Sequence, residues 1–582
     1  MRDVFHLMAL LAVLAGGGMS CSPDSTSAEA ESVEGEGPPV VFTEVTEAAG
    51  LGTFRHENGA VGRKWYPEMM GSGGGFIDYD GDGWMDVLLL GGGHWDAPAD
   101  PGYRALWLYR NDGDGSFSDR TEEAGLADVV AYTIGLSAAD YDNDGDQDFV
   151  LTNLGPNMLF RNDGGVFTEV GVQAGLAEHD EWSSSALFFD ADRDGDLDLY
   201  AANYVEWSPE TDKFCPPGGT VKLYCIPANY DGIPSRYYRN DGDGTFTDRT
   251  EEAGFVPTLG KSLGLVEIDF NDDGWPDLAI ANDGEGDNLY ENNGDGTFTE
   301  KGMISGFAFS EHGEARAGMG IDAGVVDSSG QLVIFVGNFS EEMAGVYRHE
   351  GGGVFVDQAA ASKIGHPSLL TLTFGLFLFD ADLDTDLDLF VANGHVYPDR
   401  LVGQDKITFR QRAQLYLNRG NGLFDELKPN TGPLTHELVA RAAAYADYDK
   451  DGDLDILVTE NNGPAHLWRN DTEGGRFLRV RLEGREGNRD ALGARVVVRV
   501  GGLSMERRVR TGSSYLSQSE VVSVFGLGER ESVKWVEVVW PSGRVDRFEE
   551  VEAGQEIVLV EGAETYESKP FSVGNELAQD SK

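Results

Sequence analysis

One nine-residue acidic pattern recurs six times along the chain, starting at Asp78, Asp140, Asp190, Asp269, Asp380 and Asp447. In the first copy, Asp78-Tyr79-Asp80-Gly81-Asp82-Gly83-Trp84-Met85-Asp86, oxygen-bearing side chains stand at positions 1, 3, 5 and 9. Alternating oxygens on a sharply turned loop suit a hard cation. Calcium accepts about six to eight oxygens with irregular geometry, whereas magnesium wants a tighter octahedron and keeps its waters, so it ranks second. Cysteine and histidine are absent from the loops, which argues against zinc or copper. Close carboxylates repel one another unless a cation or proton intervenes, and six copies with the same internal spacing make plain surface turns a poor account.

The side-chain donors are Asp78, Asp80, Asp82 and Asp86; Asp140, Asp142, Asp144 and Asp148; and Asp190, Asp192, Asp194 and Asp198. The later copies offer Asp269, Asn271, Asp273 and Asp277; Asp380, Asp382, Asp384 and Asp388; and Asp447, Asp449, Asp451 and Asp455. The expected complement is about six Ca2+ ions, one per loop. Five of the six loops carry glycine at position 6, as a backbone state that penalises side chains would require. Thr385 stands there in the fifth, which makes that site the weakest expected. EF-hands are excluded, because position 12 of the first loop is Leu89 and the flanks, Gly74–Ile77 and Val87–Leu90, read as short buried strands.

Each loop sits in a longer repeat of about 50–80 residues, a period that suits propeller blades with insertions. An aromatic-Arg-Asn type element follows at Tyr109, Phe160, Tyr238, Tyr290, Tyr347, Tyr416 and Trp468, one copy more than there are intact loops. The missing loop falls at Asp327-Ser328-Ser329-Gly330, a blade expected to lack metal. A Phe-Thr-Asp/Glu type element closes six repeats, and a spare copy, Phe42-Thr43-Glu44, precedes the first. Ring closure follows, with the N-terminal strand completing the last blade beside Trp468 and leaving no open edge. The fold class expected is all-β, a seven-bladed β-propeller over residues 40–470 with a small C-terminal β domain over 471–562. Residues 563–582 are expected to be a disordered tail.

The acidic loops inside strand-rich repeats resemble FG-GAP (VCBS-type) repeats, the blades of integrin alpha-chain propellers. Asn488-Arg489-Asp490, Gly512-Ser513-Ser514-Tyr515-Leu516-Ser517-Gln518, Phe525-Gly526-Leu527-Gly528 and Trp540-Pro541-Ser542-Gly543 resemble the ASPIC/UnbV domain. The combination is similar to the cartilage acidic protein family and its bacterial lipoprotein relatives. That resemblance implies a secreted or surface-located, calcium-binding interaction protein. Read from residues alone, the C-terminal segment is arginine-rich (Arg479, Arg481, Arg507, Arg508 and Arg510 among others). It suits either a solvated face or pairing with nearby Glu, or else docking onto the acidic propeller or capture of an anionic ligand.

The formal net charge is −57, and six divalent ions would offset only a small part of it. Nucleic acid is therefore excluded as a partner; a protein or glycan at the cell surface, cationic in character, fits better. Residues 1–20 read as a signal peptide, with the apolar run Leu7–Ala15 too short to span a membrane. Gly18-Met19-Ser20-Cys21 resembles a lipoprotein cleavage box, so Cys21 is the expected lipidation site and 21–39 a flexible tether on the cell surface or outer membrane. Ordinary secretion is the alternative. Cys215 and Cys225, in a Pro/Gly-rich insertion, fit a disulfide in an exported protein.

No Gly-x-Ser-x-Gly elbow, His-Glu-x-x-His or phosphate-binding Gly loop is present. His395, His94 and the segment from His56 to Glu68 are the places where a propeller mouth could carry chemistry. Two classes follow: a calcium-stabilised interaction or adhesion module, and an exported enzyme or accessory subunit acting on glycans.

Overall fold

The computed structural model describes residues 39–94, 103–216, 220–255, 260–398 and 406–571. The readings made on residues 1–38 and on the last eleven residues lie outside these. No helix among the described residues is long and apolar enough to cross a membrane.

The described residues form one unit built almost wholly of strands. Seven sheets share one plan of four antiparallel strands, which in six of them pair in chain order. Thr133–Ala139, Asp148–Asn153, Met158–Asn162 and Phe167–Glu169 show it. Their innermost strands are Gly74–Ile77, Thr133–Ala139, Ser183–Phe189, Ser262–Ile268, Ile321–Val325, Thr373–Phe379 and Ala440–Ala446, here blades 1 to 7. Each neighbours the next, and blade 7 neighbours blade 1, which closes a ring. Glycine makes the close approach possible: a Cβ on Gly264 would stand 2.2 Å from the Met319 carbonyl oxygen, and one on Gly320 1.9 Å from that of Phe374. Apolar side chains fill the layers between sheets, for example Phe149, Phe160 and Phe167 against Leu88 and Leu108.

The last blade is completed from the N-terminus. Phe42, Thr43 and Glu44 pair with Asn470, Arg469 and Trp468. His466 joins Glu44 (3.3 Å) to Glu460 (3.1 Å) across this seam. No blade edge is therefore left without its closing strand at the seam where the chain begins.

The C-terminal part is a sandwich of two four-stranded sheets. One holds Arg476–Glu483, Ser523–Gly528, Gln555–Val560 and Glu567–Pro570; the other holds Arg495–Val500, Leu503–Arg508, Ser532–Val539 and Val545–Glu552. Alternate residues such as Val496, Val498, Val536 and Val538 face a core shared with Leu478, Phe525, Trp540 and Ile557. Glu567–Pro570 corrects the disordered tail expected from residue 563, because it pairs with Gln555–Val558 and covers that strand's open edge.

The two parts are not simply adjacent. Between strands of the sandwich, Gly512–Gln518 enters the ring of inner strands and touches all seven blades. The Ser513 and Ser514 amides donate to the carbonyls of Leu265 (3.1 Å) and Ile321 (2.7 Å), and the Leu516 amide donates to Ser185 Oγ (3.1 Å). Ser514 Oγ donates to Ala443 O (2.8 Å) and accepts from Leu376 N (3.2 Å). Gln518 Oε1 accepts from Ala138 N (3.1 Å), and Ser517–Gln518 runs parallel to Gly74–Gly75. The segment plugs the channel with hydrogen bonds that the inner strands would otherwise owe to water. From the other end, the carbonyls of Met69 and Met70 accept from Arg441 (2.9 Å) and Tyr515 (2.9 Å).

Candidate metal centres

Each acidic loop links the innermost strand of its blade to the second, and the six loops share one wiring. The position 1 carboxylate accepts the position 6 amide: Gly83 to Asp78 at 3.0 Å, Gly145 to Asp140 at 2.9 Å, Gly452 to Asp447 at 3.1 Å. The position 5 carboxylate accepts the position 7 amide, as from Trp84 to Asp82 and Asp146 to Asp144, both 2.9 Å. The position 9 aspartate clamps the blade. Asp86 accepts Tyr79 N (3.1 Å) from its own loop and Asn111 N (2.7 Å) from the third strand. Asp148, Asp198, Asp277, Asp388 and Asp455 repeat this with Asn162, Asn240, Asn292, Asn418 and Asn470.

In five loops three carboxylates converge, with one oxygen from each within 4.8 Å of the others: Asp78/Asp80/Asp86, Asp140/Asp142/Asp148, Asp190/Asp192/Asp194, Asp380/Asp382/Asp388 and Asp447/Asp449/Asp455. These clusters could hold metal ions. Asp82, Asp144, Asp198, Asp384 and Asp451 lie outside the groups of three. Asp198 instead accepts the Tyr237 hydroxyl at 3.1 Å. The fourth loop, where Asn271 takes position 3, forms no such group among the described residues. There Arg508 reaches Asp269 at 3.3 Å.

The donor chemistry fits a hard cation. Every converging atom is a carboxylate oxygen, and buried oxygens of Asp78, Asp142, Asp190 and Asp449 have no hydrogen-bond partner within the protein. Burial, and after it repulsion from Asp194 and Asp192, pushes Asp190 up to about 7. Burial raises Asp78 to about 6, Asp86 to about 8 and Asp148 to about 9. Without a cation the folded protein therefore binds protons that the unfolded chain, at about 3.9 for aspartate, has released. That contribution to stability is intact below about pH 4 and is lost as pH rises through about 6 to 9. In chelator the melting temperature is expected to fall steadily from pH 5 to pH 8. In excess calcium the fall should disappear, and parallel slopes in the two series would refute cation control of these carboxylates.

Two departures mark where sequence reading was incomplete. Thr385 does take the special backbone state, with φ +104°, yet its loop closes like the others, Thr385 N reaching Asp380 at 3.0 Å. The strain falls on the residue, not on the cluster. Thr385→Gly is expected to stabilise the protein by about 1 kcal/mol, read as a higher unfolding midpoint in denaturant. Blade 5 aligns with the fourth loop without gaps, placing Val325 and Val333 at positions 1 and 9. Its one acid, Asp327, pairs with Arg348 at 2.5 Å, as Asp80 pairs with Arg110 at 2.5 Å in the first loop, but no further carboxylate stands in this loop to join it.

The asparagine of the aromatic-Arg-Asn element has a role that the sequence alone did not disclose. Its side chain donates to the position 2 carbonyl of the preceding blade's loop: Asn111 to Tyr448 (2.8 Å), Asn162 to Tyr79 (2.8 Å), Asn240 to Tyr141 (3.0 Å) and Asn292 to Ala191 (2.8 Å). Its backbone amide meets position 9 of its own loop, so one residue ties two blades together. The only advance signal was its recurrence.

The loops also face the C-terminal sandwich. Asp490 accepts Asp140 N (2.8 Å), and Glu520 accepts Asp447 N (3.1 Å). Arg479, 1 % exposed, contacts Asp447 and Glu556 (both 3.2 Å) and Glu520. Arg508 reaches Glu267 (3.3 Å), and Arg510 reaches Asp322 (2.5 Å). Of the two readings of the arginine-rich segment, docking onto acidic propeller residues holds for these three. Cys215 and Cys225 form a disulfide.

The histidines and Glu68 hold structure. His56 is buried, accepts Asn462 N (3.0 Å), and is pushed down to about 3 by burial and Arg441. His395 accepts Tyr397 N (3.1 Å) and is lowered to about 4 by the same causes. Both rings are neutral and weakly basic at neutral pH. Glu68 accepts Trp65 N (3.1 Å) and the Tyr224 hydroxyl (2.7 Å). His94 contacts Glu57.

These features define the class: a propeller of FG-GAP-like repeats, which match residues 78–151, 140–201, 269–336 and 392–458, joined to an ASPIC and UnbV domain matching residues 484–565. The chain is related to cartilage acidic protein 1. It is 24% identical to the Mus musculus protein over 480 residues, 71% of each chain, and 24% identical to the Homo sapiens protein over 71% of this chain and 69% of that one. Among solved structures, an Agrocybe aegerita lectin specific for non-reducing terminal N-acetylglucosamine aligns with TM-score 0.39 and 16% identity, over 68% of this chain and 86% of the lectin. The BP39L lectin of Burkholderia pseudomallei aligns with TM-score 0.41 and 9% identity, over 69% and 96%. Likeness at this level assigns no ligand.

Proposed function

We propose that this protein is an exported, surface-anchored interaction module whose blades are stabilised by calcium, about six ions when loaded. The observation that supports it most is the set of converging carboxylates with unsatisfied buried oxygens, repeated around one ring. Asp78, Asp80 and Asp86 in the first loop, and the converging carboxylates of the second, third, fifth and sixth, would hold the ion. Bound calcium supplies positive charge that lets these carboxylates stay ionised while buried. The position 9 aspartates then hold second and third strands together, the asparagines tie each blade to its predecessor, and Arg479, Asp490 and Glu520 seat the sandwich on the same loops. The metal sites thus underlie both blade order and docking.

The surplus negative charge favours a cationic face on the protein or glycan partner. The glycan-enzyme reading is disfavoured by the burial and low basicity of His56 and His395. Anchoring rests on Cys21. In a host that processes lipoproteins, an alkynyl fatty acid is expected to label the wild type and not Cys21→Ser, and protease added to intact cells should remove the propeller. Unlabelled protein in the medium would replace anchoring by secretion, and protein retained inside cells would overturn the proposal.

A further inference from the structure

At the end of the blades opposite the acidic loops lies a cavity of about 280 Å³. Its walls are mostly apolar and aromatic, with Met70, Met319, Phe374 and Tyr397 prominent. They come from the turn at Tyr66–Met69, from the starts of the blade 5 and blade 6 inner strands, and from the chain after Asp388–Asn393. The rim includes Ala228, three residues beyond the disulfide-bonded Cys225.

Into this apolar space comes a carboxylate. Asp283 is 7% exposed and lines the cavity. Its Oδ2 accepts the Tyr204 hydroxyl, and Tyr204 in turn lies 2.6 Å from the Tyr66 hydroxyl. With Tyr204 donating to Asp283, Tyr66 donates to Tyr204, so the relay delivers hydrogens to the carboxylate and no positive charge. The lysine that lines the cavity, Lys261, is bonded to Glu285 at 2.9 Å. Glu342, also lining, accepts Ala317 N at 2.8 Å. Three acids thus meet one lysine around a hydrocarbon wall. A carboxylate in apolar surroundings gains most from a cation brought into contact with it, and aromatic faces attract the same kind of charge. An anion would be repelled, and a polyhydroxylated sugar would lose its hydrogen bonds to water against the apolar wall.

We propose that this cavity binds a small organic ammonium with an apolar body, its nitrogen at Asp283 and its hydrocarbon against Met70, Met319 and Phe374. An arylalkylammonium of about ten heavy atoms suits a pocket at the small end of the usual range. The site is separate from the calcium loops and does not depend on the interaction-module proposal.

Calorimetric titration of the calcium-loaded mature protein with phenethylammonium chloride tests this, with phenethyl alcohol as the neutral isostere. Saturable binding of the ammonium is expected at millimolar or lower concentration. Asp283→Asn should weaken it about tenfold or more, the weight of one hydrogen bond to a charged group. The alcohol should bind about as weakly as the ammonium binds that variant. Ala228→Trp, at an exposed position on the rim, should also block binding and leaves the Asp283 relay untouched, so it decides the matter if Asp283→Asn fails to fold. Equal affinity for ammonium and alcohol, unchanged binding in Ala228→Trp, or no saturable binding by the wild type would each overturn the proposal.

Discussion

Calcium added to the chelator-treated protein without its lipid anchor, residues 22–582, is expected to raise the melting temperature by about 5–10 °C, with about six ions bound by metal analysis. Extracellular-type sites hold calcium at about 10⁻⁴–10⁻³ M, and ligand at ten times Kd adds about 1.4 kcal/mol per site. Six sites then add about 8 kcal/mol, comparable to the whole stability of many domains. The source of that gain is visible in the loops. Buried aspartates such as Asp148 and Asp190 are pushed far above their free values by burial, and a cation removes the need to protonate them. Asp194→Ala, which removes one of the three converging carboxylates of the third loop, should lower the midpoint in calcium and change little in chelator. Equal losses in both conditions would sink the model of a metal-stabilised ring, and no bound metal would reduce the loops to acidic turns.

Replacing Arg479 by alanine should cost about 3–5 kcal/mol, because it leaves several buried acids without their shared counter-charge. Its Nη1 meets Asp447, its Nη2 Glu520 and its Nε Glu556. Asp447 is also a candidate calcium ligand, so the guanidinium and the ion would neutralise the same carboxylate. The loss is therefore expected to be larger in chelator than in calcium, by denaturant unfolding in each. Arg479→Lys should rescue only partly, since one ammonium cannot reproduce the guanidinium's three-way geometry. Full rescue by lysine, or equal losses in the two conditions, would show that Asp447 is not shared.

Much of the fold was readable because its signals are local. A loop of alternating oxygens with two short apolar flanks specifies a turn between strands within about twenty residues, and recurrence turned that unit into a ring. The spare Phe42-Thr43-Glu44 strand could be assigned because every other blade already had its closing element. Thr385 shows the limit of the same reasoning. Its positive φ followed from the pattern, but the soundness of its cluster depended on how Asp380, Asp382 and Asp388 pack. The fourth loop fits the motif as well as any, yet Asn271 and the approach of Arg508 leave it without a three-carboxylate group.

The sequence by itself determined the all-β class, the six acidic loops, the blade whose loop has lost all but one of its acids and the residues able to meet a hard cation. All are set by spacing along a short stretch of backbone. Tertiary structure alone decided the rest: Asn111 reaching Tyr448 across 337 positions, Gly512–Gln518 plugging the channel, and Arg479, Arg508 and Arg510 picked from many arginines to meet the propeller's acids. The physical reason is that such contacts join polar groups far apart in the chain. Each partner has an ordinary local sequence, and only closure of the ring brings buried donors and acceptors together and makes their pairing obligatory.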